Sequence, residues 1–133
     1  MSRSRFIDLA NAFCLLAKID QPTALVEGNA IEVDGVDFFL QYDEQLAPEH
    51  LVLYCDFGAP PAARLLDAYQ ALLETNMIVY GANAPAFMLG PDRQVVFGYG
   101  CPLQDLQAPE LLDIFVNLAA QARDWRTDYF LEA

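Results

Sequence analysis

The chain is expected to fold as α+β: a mainly antiparallel, five-stranded twisted sheet with three helices, in the order α-β-β-β-α-β-β-α. Three stretches repeat apolar residues at helical spacing, and five short apolar runs of strand length are interleaved with them. The turn signals Asp34-Gly35 and Gly90-Pro91-Asp92 join successive strands as hairpins, and hairpin connections make neighbouring strands antiparallel.

The first helix spans Ser4 to Lys18, where Phe6, Leu9, Ala10, Phe13, Leu16 and Ala17 recur at intervals of three and four. Ser2 or Ser4 can cap it, and Asp20, Gln21 and Pro22 end it. Ile7, Cys14 and Leu15 fall outside the stripe and give the helix a partly apolar shoulder. Strands from Ala30 to Val33 and from Asp37 to Tyr42 flank the Asp34-Gly35 turn, and a third runs from Leu51 to Phe57. Alternation places Phe38, Leu40 and Tyr42 on one face of the second strand, and Leu51, Leu53, Cys55 and Phe57 on one face of the third. The opposite face still carries Phe39, Val52 and Tyr54, so a sheet covered on one side keeps an apolar second side.

Pro60 and Pro61 open a second helix that runs to Thr75, because the first helical turn needs no backbone donor there, and Asn76 closes it. Leu65, Ala68, Tyr69 and Leu72 form its stripe, while Ala62, Leu66 and Leu73 widen that stripe beyond what one core contact requires. One side of this helix faces its own sheet and the other calls for a second protein; Leu66, Tyr69 and Leu73 are the candidate dimer residues. Strands from Ala86 to Leu89 and from Gln94 to Tyr99 follow, with Gly98 and Gly100 weakening the second or admitting a close approach. The last helix begins near Ala108 or Pro109, with Asp105 or Gln107 as its cap, and runs at least to Trp125. Leu111, Phe115, Leu118, Ala122 and Trp125 form its core stripe, and Asp113, Asn117, Gln121 and Asp124 lie mostly elsewhere.

A length of 133 residues suits one domain, residues 1–133. At that size folding buries roughly two thirds of the unfolded surface, so 55% hydrophobic residues suffice without a disulfide or metal staple. The net charge is −12, and nine acidic residues with no Lys or Arg lie between Lys18 and Arg64. Such a surface disfavours nucleic-acid phosphates and anionic lipid and suits a basic or amphipathic protein partner. Cys14, Cys55 and Cys101 form no paired spacing and sit among apolar neighbours, which predicts buried, reduced thiols and a cytoplasmic setting. No apolar run approaches the ~20 residues that span a bilayer.

Catalytic groups are scarce. His50 is the one histidine, and as a base for Cys55 it would point to the opposite face of an extended strand. Glu32, Asp34 and Asp37, like Asp43 and Glu44, read as solvated turn carboxylates rather than a calcium loop, and Asn83-Ala84-Pro85 makes no phosphate cradle. No catalytic, cofactor or metal residue is assigned.

Several local signatures occur in a telling order. Phe38-Phe39-Leu40-Gln41-Tyr42 leads to Asp43-Glu44; Leu51-Val52-Leu53-Tyr54 is followed by Gly58 and Pro60; Leu72-Leu73 with Asn76 closes the second helix. Phe87-Met88-Leu89, Val95-Val96-Phe97 and Pro102-Leu103 then precede a helix ending near Trp125. In this order, and with small size and strong acidity, the chain resembles the class I type III secretion chaperones, the Tir-chaperone family, over nearly its whole length. The doubled Pro60-Pro61 and the stretch Asn83-Ala84-Pro85-Ala86 depart from the family pattern, and bear on the start of the fourth strand and the shape of the dimer seam.

The resemblance implies a non-enzymatic homodimer that uses no nucleotide and holds the N-terminal chaperone-binding segment of a secreted effector soluble, partly unfolded and secretion-competent. It further implies a dimer seam built from the second helix and fourth strand. The effector would wrap over apolar patches of the first helix and the sheet and add a strand to a sheet edge. The candidate effector contacts are Ile7, Cys14 and Leu15 on the first helix and Phe39, Val52 and Tyr54 on the sheet. The competing reading is an acidic binding module, of immunity or anti-regulator type, that blocks a basic surface on a folded partner and loses affinity steeply as salt rises. A small-molecule enzyme is third and requires a deep pocket with convergent polar groups.

Overall fold

Asp34 and Gly35 both take positive φ, 52° and 82°, the backbone that a two-residue hairpin needs. They join β1 (Ile31–Val33) to β2 (Val36–Gln41). In the computed structural model, which describes residues 2–19, 25–79 and 85–131, the remaining elements are α1 (Ser2–Leu16), β3 (His50–Gly58), α2 (Leu65–Val79), β4 (Ala86–Leu89), β5 (Val95–Pro102) and α3 (Ala108–Asp128). The sheet order is β1-β2-β3-β5-β4 with every neighbouring pair antiparallel, so the expected fold class and element order hold. The Asp20-Gln21-Pro22 helix stop and Asn83-Ala84 lie outside the described residues.

One face of the sheet is covered by α3, and α1 packs on α3. The α3 stripe is buried as its periodicity predicts: Leu111, Phe115, Leu118, Ala122 and Trp125 all face inward. Phe115 is the joint of the layers, with its ring 4.4 Å from Phe13 of α1 and 4.5 Å from Phe38 of β2. At the far end of α3, Arg126 donates from Nε to the Phe57 carbonyl (2.9 Å), from Nη1 to Gly35 (3.2 Å) and from Nη2 to Asp56 (3.1 Å). Arg123 reaches the Asp34 carbonyl (3.0 Å), so two guanidinium groups clamp the hairpin turn to the helix.

Four local expectations are corrected. In α1, Cys14 is fully buried and Leu16 is exposed. Helical periodicity does not decide this exchange; buried Leu25 lies against Cys14, its backbone hydrogen-bonded to the thiol, and encloses residue 14 at the edge of the stripe. Lys18 turns left-handed at φ 59°, and Ile19 N–H donates to Cys14 O (2.9 Å), which ends the helix. Pro60 and Pro61 precede α2 rather than start it; a 3-10 turn, Ala62–Arg64, intervenes. Asn76 lies inside α2, which continues to Val79. Despite Gly98 and Gly100, β5 runs on to Pro102 because β3 pairs with it along that length.

Candidate functional site

The second helix is seated by Ala68 and Leu72, both buried, and by Tyr69, half-buried against the core. Leu66 and Leu73 point away, 79% and 68% exposed. Extending the helix past Thr75 adds Met77 and Ile78, also exposed, and β4 contributes exposed Met88 and Leu89 beside them. Tyr69, Leu72, Leu73, Phe87, Met88 and Leu89 line an apolar depression between α2 and β4. Of the three candidate dimer residues, then, Leu66 and Leu73 stand free, whereas Tyr69 forms the inner wall. The sequence reading missed Met77 and Ile78 because it stopped the helix early. Residue 77 lies four positions after Leu73 on the same helical face, and one further step of four finds it.

Asn76 holds this surface together. Its Nδ2 donates to the Phe87 carbonyl (3.0 Å) and its Oδ1 accepts the Phe87 N–H (2.8 Å), so the amide occupies the outer edge of β4 at that residue.

A second surface lies on the sheet face away from α1 and α3. Phe39 and Tyr54 are direct register partners and stack there with centroids 4.9 Å apart and planes 20° off parallel. The Tyr54 hydroxyl donates to Gln41 Oε1 (2.9 Å) and fixes the ring. Val52 lies opposite Gly100 on β5, and both Val52 and the aromatic pair are half-buried. The apolar second side inferred from alternation is therefore present, and it is a shallow trench because β5 offers glycine at two successive outward positions.

The first-helix candidates do not share that surface. Ile7 is half-buried against the core and Leu15 is 83% exposed, both on the covered side of the sheet. Cys14 is corrected: it has no exposed area and belongs to the core, so it offers nothing to a surface ligand. Cys55 and Cys101 are buried as well, and desolvation pushes their thiols up to about 12 and about 11, with Arg126 pulling Cys55 slightly back. Cys14 is raised by the same cause, against a backbone hydrogen bond from Leu25. His50 and Cys55 occupy opposite faces of β3. Among the described residues no three His, Cys, Asp or Glu side chains are placed to hold a metal ion, and no helix is long and apolar enough to cross a membrane.

With this geometry in view, similarity to known proteins can be placed on the chain. A model of the Tir chaperone protein (CesT) family matches residues 38–126, from β2 into the last turns of α3. Among solved structures, the HopA1–SchA chaperone–effector complex aligns with a TM-score of 0.68 at 19% identity, covering 96% of this chain and 97% of that one. The Yersinia pestis type III secretion chaperone SycH, in complex with a stable fragment of YscM2, aligns with a TM-score of 0.59 at 16% identity, covering 90% of this chain and 98% of that one. The ExsC–ExsE complex aligns with a TM-score of 0.67 at 17% identity, covering 93% and 92%. At these identities the likeness is one of fold. Comparison with curated proteins finds no match.

Proposed function

The chain belongs to the Tir chaperone protein (CesT) family, and from that membership we propose that it is a type III secretion chaperone acting in the bacterial cytoplasm on the N-terminal segment of an effector. The single observation that carries this reading is the family match over residues 38–126, which holds most of β2, all of β3, α2, β4 and β5, and nearly all of α3. Family and fold are those of non-enzymatic chaperones, and the HopA1–SchA structure is described as a chaperone with its effector.

The chain works as a single domain that pairs with a second copy through Leu66 and Leu73, with Tyr69 behind them. Cargo contacts Ile7 and Leu15 on α1 and Phe39, Val52 and Tyr54 on the outer sheet face. These two sets lie on opposite sides of the sheet, which suits an extended segment that wraps rather than a folded partner that docks on one patch. Holding a segment extended costs the conformational entropy of ordering it, and a wide, dispersed contact offsets that cost.

Co-expression with the product of an adjacent effector gene tests the reading. The expected result is a soluble complex and loss of effector secretion when this chain is deleted. An effector that is equally soluble and equally secreted without it would overturn the proposal.

A further inference from the structure

The outer sheet face is divided between two chemistries. Near the Asp34-Gly35 turn, Glu32 of β1 stands directly opposite Asp37 of β2, and the β2–β3 register continued by one residue sets Asp37 beside Asp56. Their neighbours Ile31, Phe38, Cys55 and Phe57 are buried on the covered side, so alternation aims these three carboxylates outward. Like charges directly opposite each other weaken a sheet. Asp56 Oδ1 accepts the Gly58 N–H (2.8 Å), while Arg123 and Arg126 approach from α3 and donate to the carbonyls of Asp34 and Gly35 in the turn and of Asp56 and Phe57 in β3.

The next outward row, about 7 Å along the strands, is the Phe39–Tyr54 stack, continued by Gly98 and Ala86. The row after it holds Val52 opposite Gly100. The two glycines differ. A Cβ on Gly98 would come within 2.8 Å of Met88 Cε, so that position is already roofed, whereas a Cβ on Gly100 would meet nothing within 4 Å. The trench is thus open at Gly100, walled by Val52, Tyr54, Ala86 and Met88, and leads over two aromatic rings to a row of carboxylates.

We infer that this face receives an extended effector stretch in which an aliphatic residue fills the trench over Gly100 and an Arg or Lys two residues away lies across the Phe39–Tyr54 rings toward Glu32 and Asp37. The inference rests on the chaperone reading and names the kind of segment that is read. Two residues of extended chain span about 7 Å, the spacing between the rows. A cation over aromatic faces with carboxylates beyond gains from both contacts. Charge selects this occupant over a second copy of the chain, which carries −12 and would set carboxylate against carboxylate.

The test is an amide-shift NMR titration of the full chain with three short synthetic peptides in which Leu is followed two residues on by Arg, by Ser or by Glu, with Ser at every other position, so that the paired side chains share one face of the extended peptide. The Leu–Arg peptide is expected to shift the amides of Phe39, Val52, Tyr54, Gly98 and Gly100 and to bind at least about ten-fold more tightly than the Leu–Ser peptide, with the Leu–Glu peptide weakest. Gly100→Leu, which the open space accommodates, should fill the trench and weaken Leu–Arg binding by about ten-fold or more. Glu32→Lys with Asp37→Lys should erase the preference for Arg while leaving Leu–Ser binding unchanged. Shifts confined to other surfaces, or variants that bind all three peptides as the parent does, overturn the inference. Co-expression separates the two levels. A chain that keeps its effector soluble but fails the peptide titration loses this inference alone, whereas an effector independent of the chain removes the chaperone reading.

Discussion

Asn76 does with one side-chain amide what a neighbouring strand does with a peptide group. It donates to and accepts from the same residue, Phe87, which requires a planar group carrying both functions at that reach; Asp lacks the donor and Leu lacks both. An edge strand invites pairing with another chain, and the amide closes that edge at its middle. Asn76→Ala should therefore destabilise the fold by about 1–3 kcal/mol in urea titrations and speed hydrogen exchange at the Phe87 amide, because two half-buried backbone groups lose their partners. Unchanged exchange at Phe87 would mean that the pair is not formed in solution. None of this was legible in the sequence, where Asn after Leu72-Leu73 reads as a helix stop and its partner lies eleven residues on. The thiols give a second residue-scale expectation. Burial raises Cys55 to about 12 and Cys101 to about 11 from an ordinary 9.0, favouring the neutral thiol in the folded chain. Their contribution is complete below pH 9.0 and is lost as pH climbs toward about 12, because the unfolded chain ionises first. Folded protein at pH 8 should resist iodoacetamide and label at all three cysteines in urea; labelling of Cys55 without denaturant would contradict its burial.

Among the elements, legibility followed the reach of the physics. The hairpin at Asp34-Gly35 and the stripe of α3 depend on local geometry and a single buried face, and both appear where the residues place them. The exchange of Leu16 for Cys14 in α1 arises in the last helical turn, where the cover supplied by Leu25, a tertiary contact and not the helical period, decides which side chain is enclosed. The two-sided character of α2 was legible because Leu66 and Leu73 cannot share an arc with Ala68 and Leu72, yet its extent was not, since Asn76 belongs to a tertiary contact. Substituting Glu at Leu66 and Leu73 tests what the free side is for. Both side chains are mostly exposed in the single chain, so each substitution should change its stability by no more than about 0.5 kcal/mol. The pair should convert a dimer into monomers by light scattering, and a dimer that survives both would place the seam elsewhere.

For the whole molecule, the surplus of acid and the surplus of exposed apolar surface act together. Each copy carries −12, and α2 itself holds Asp67 and Glu74 with no Lys or Arg. Pairing through Leu66 and Leu73 therefore brings acidic helices together, opposed by a field that reaches about 30 Å at 0.01 M salt and about 8 Å at 0.15 M. Apolar burial drives this association and salt relieves its repulsion, so the dimer should tighten as salt is raised across that range. Binding of an Arg-bearing segment over Glu32 and Asp37 gains from the same field and should weaken over the same range. Sedimentation equilibrium of the chain alone and peptide titrations of the dimer, run in parallel at the two salt concentrations, should give slopes of opposite sign. A dimer that loosens with salt would mean that ion pairs hold the seam, and the apolar face of α2 would need another occupant.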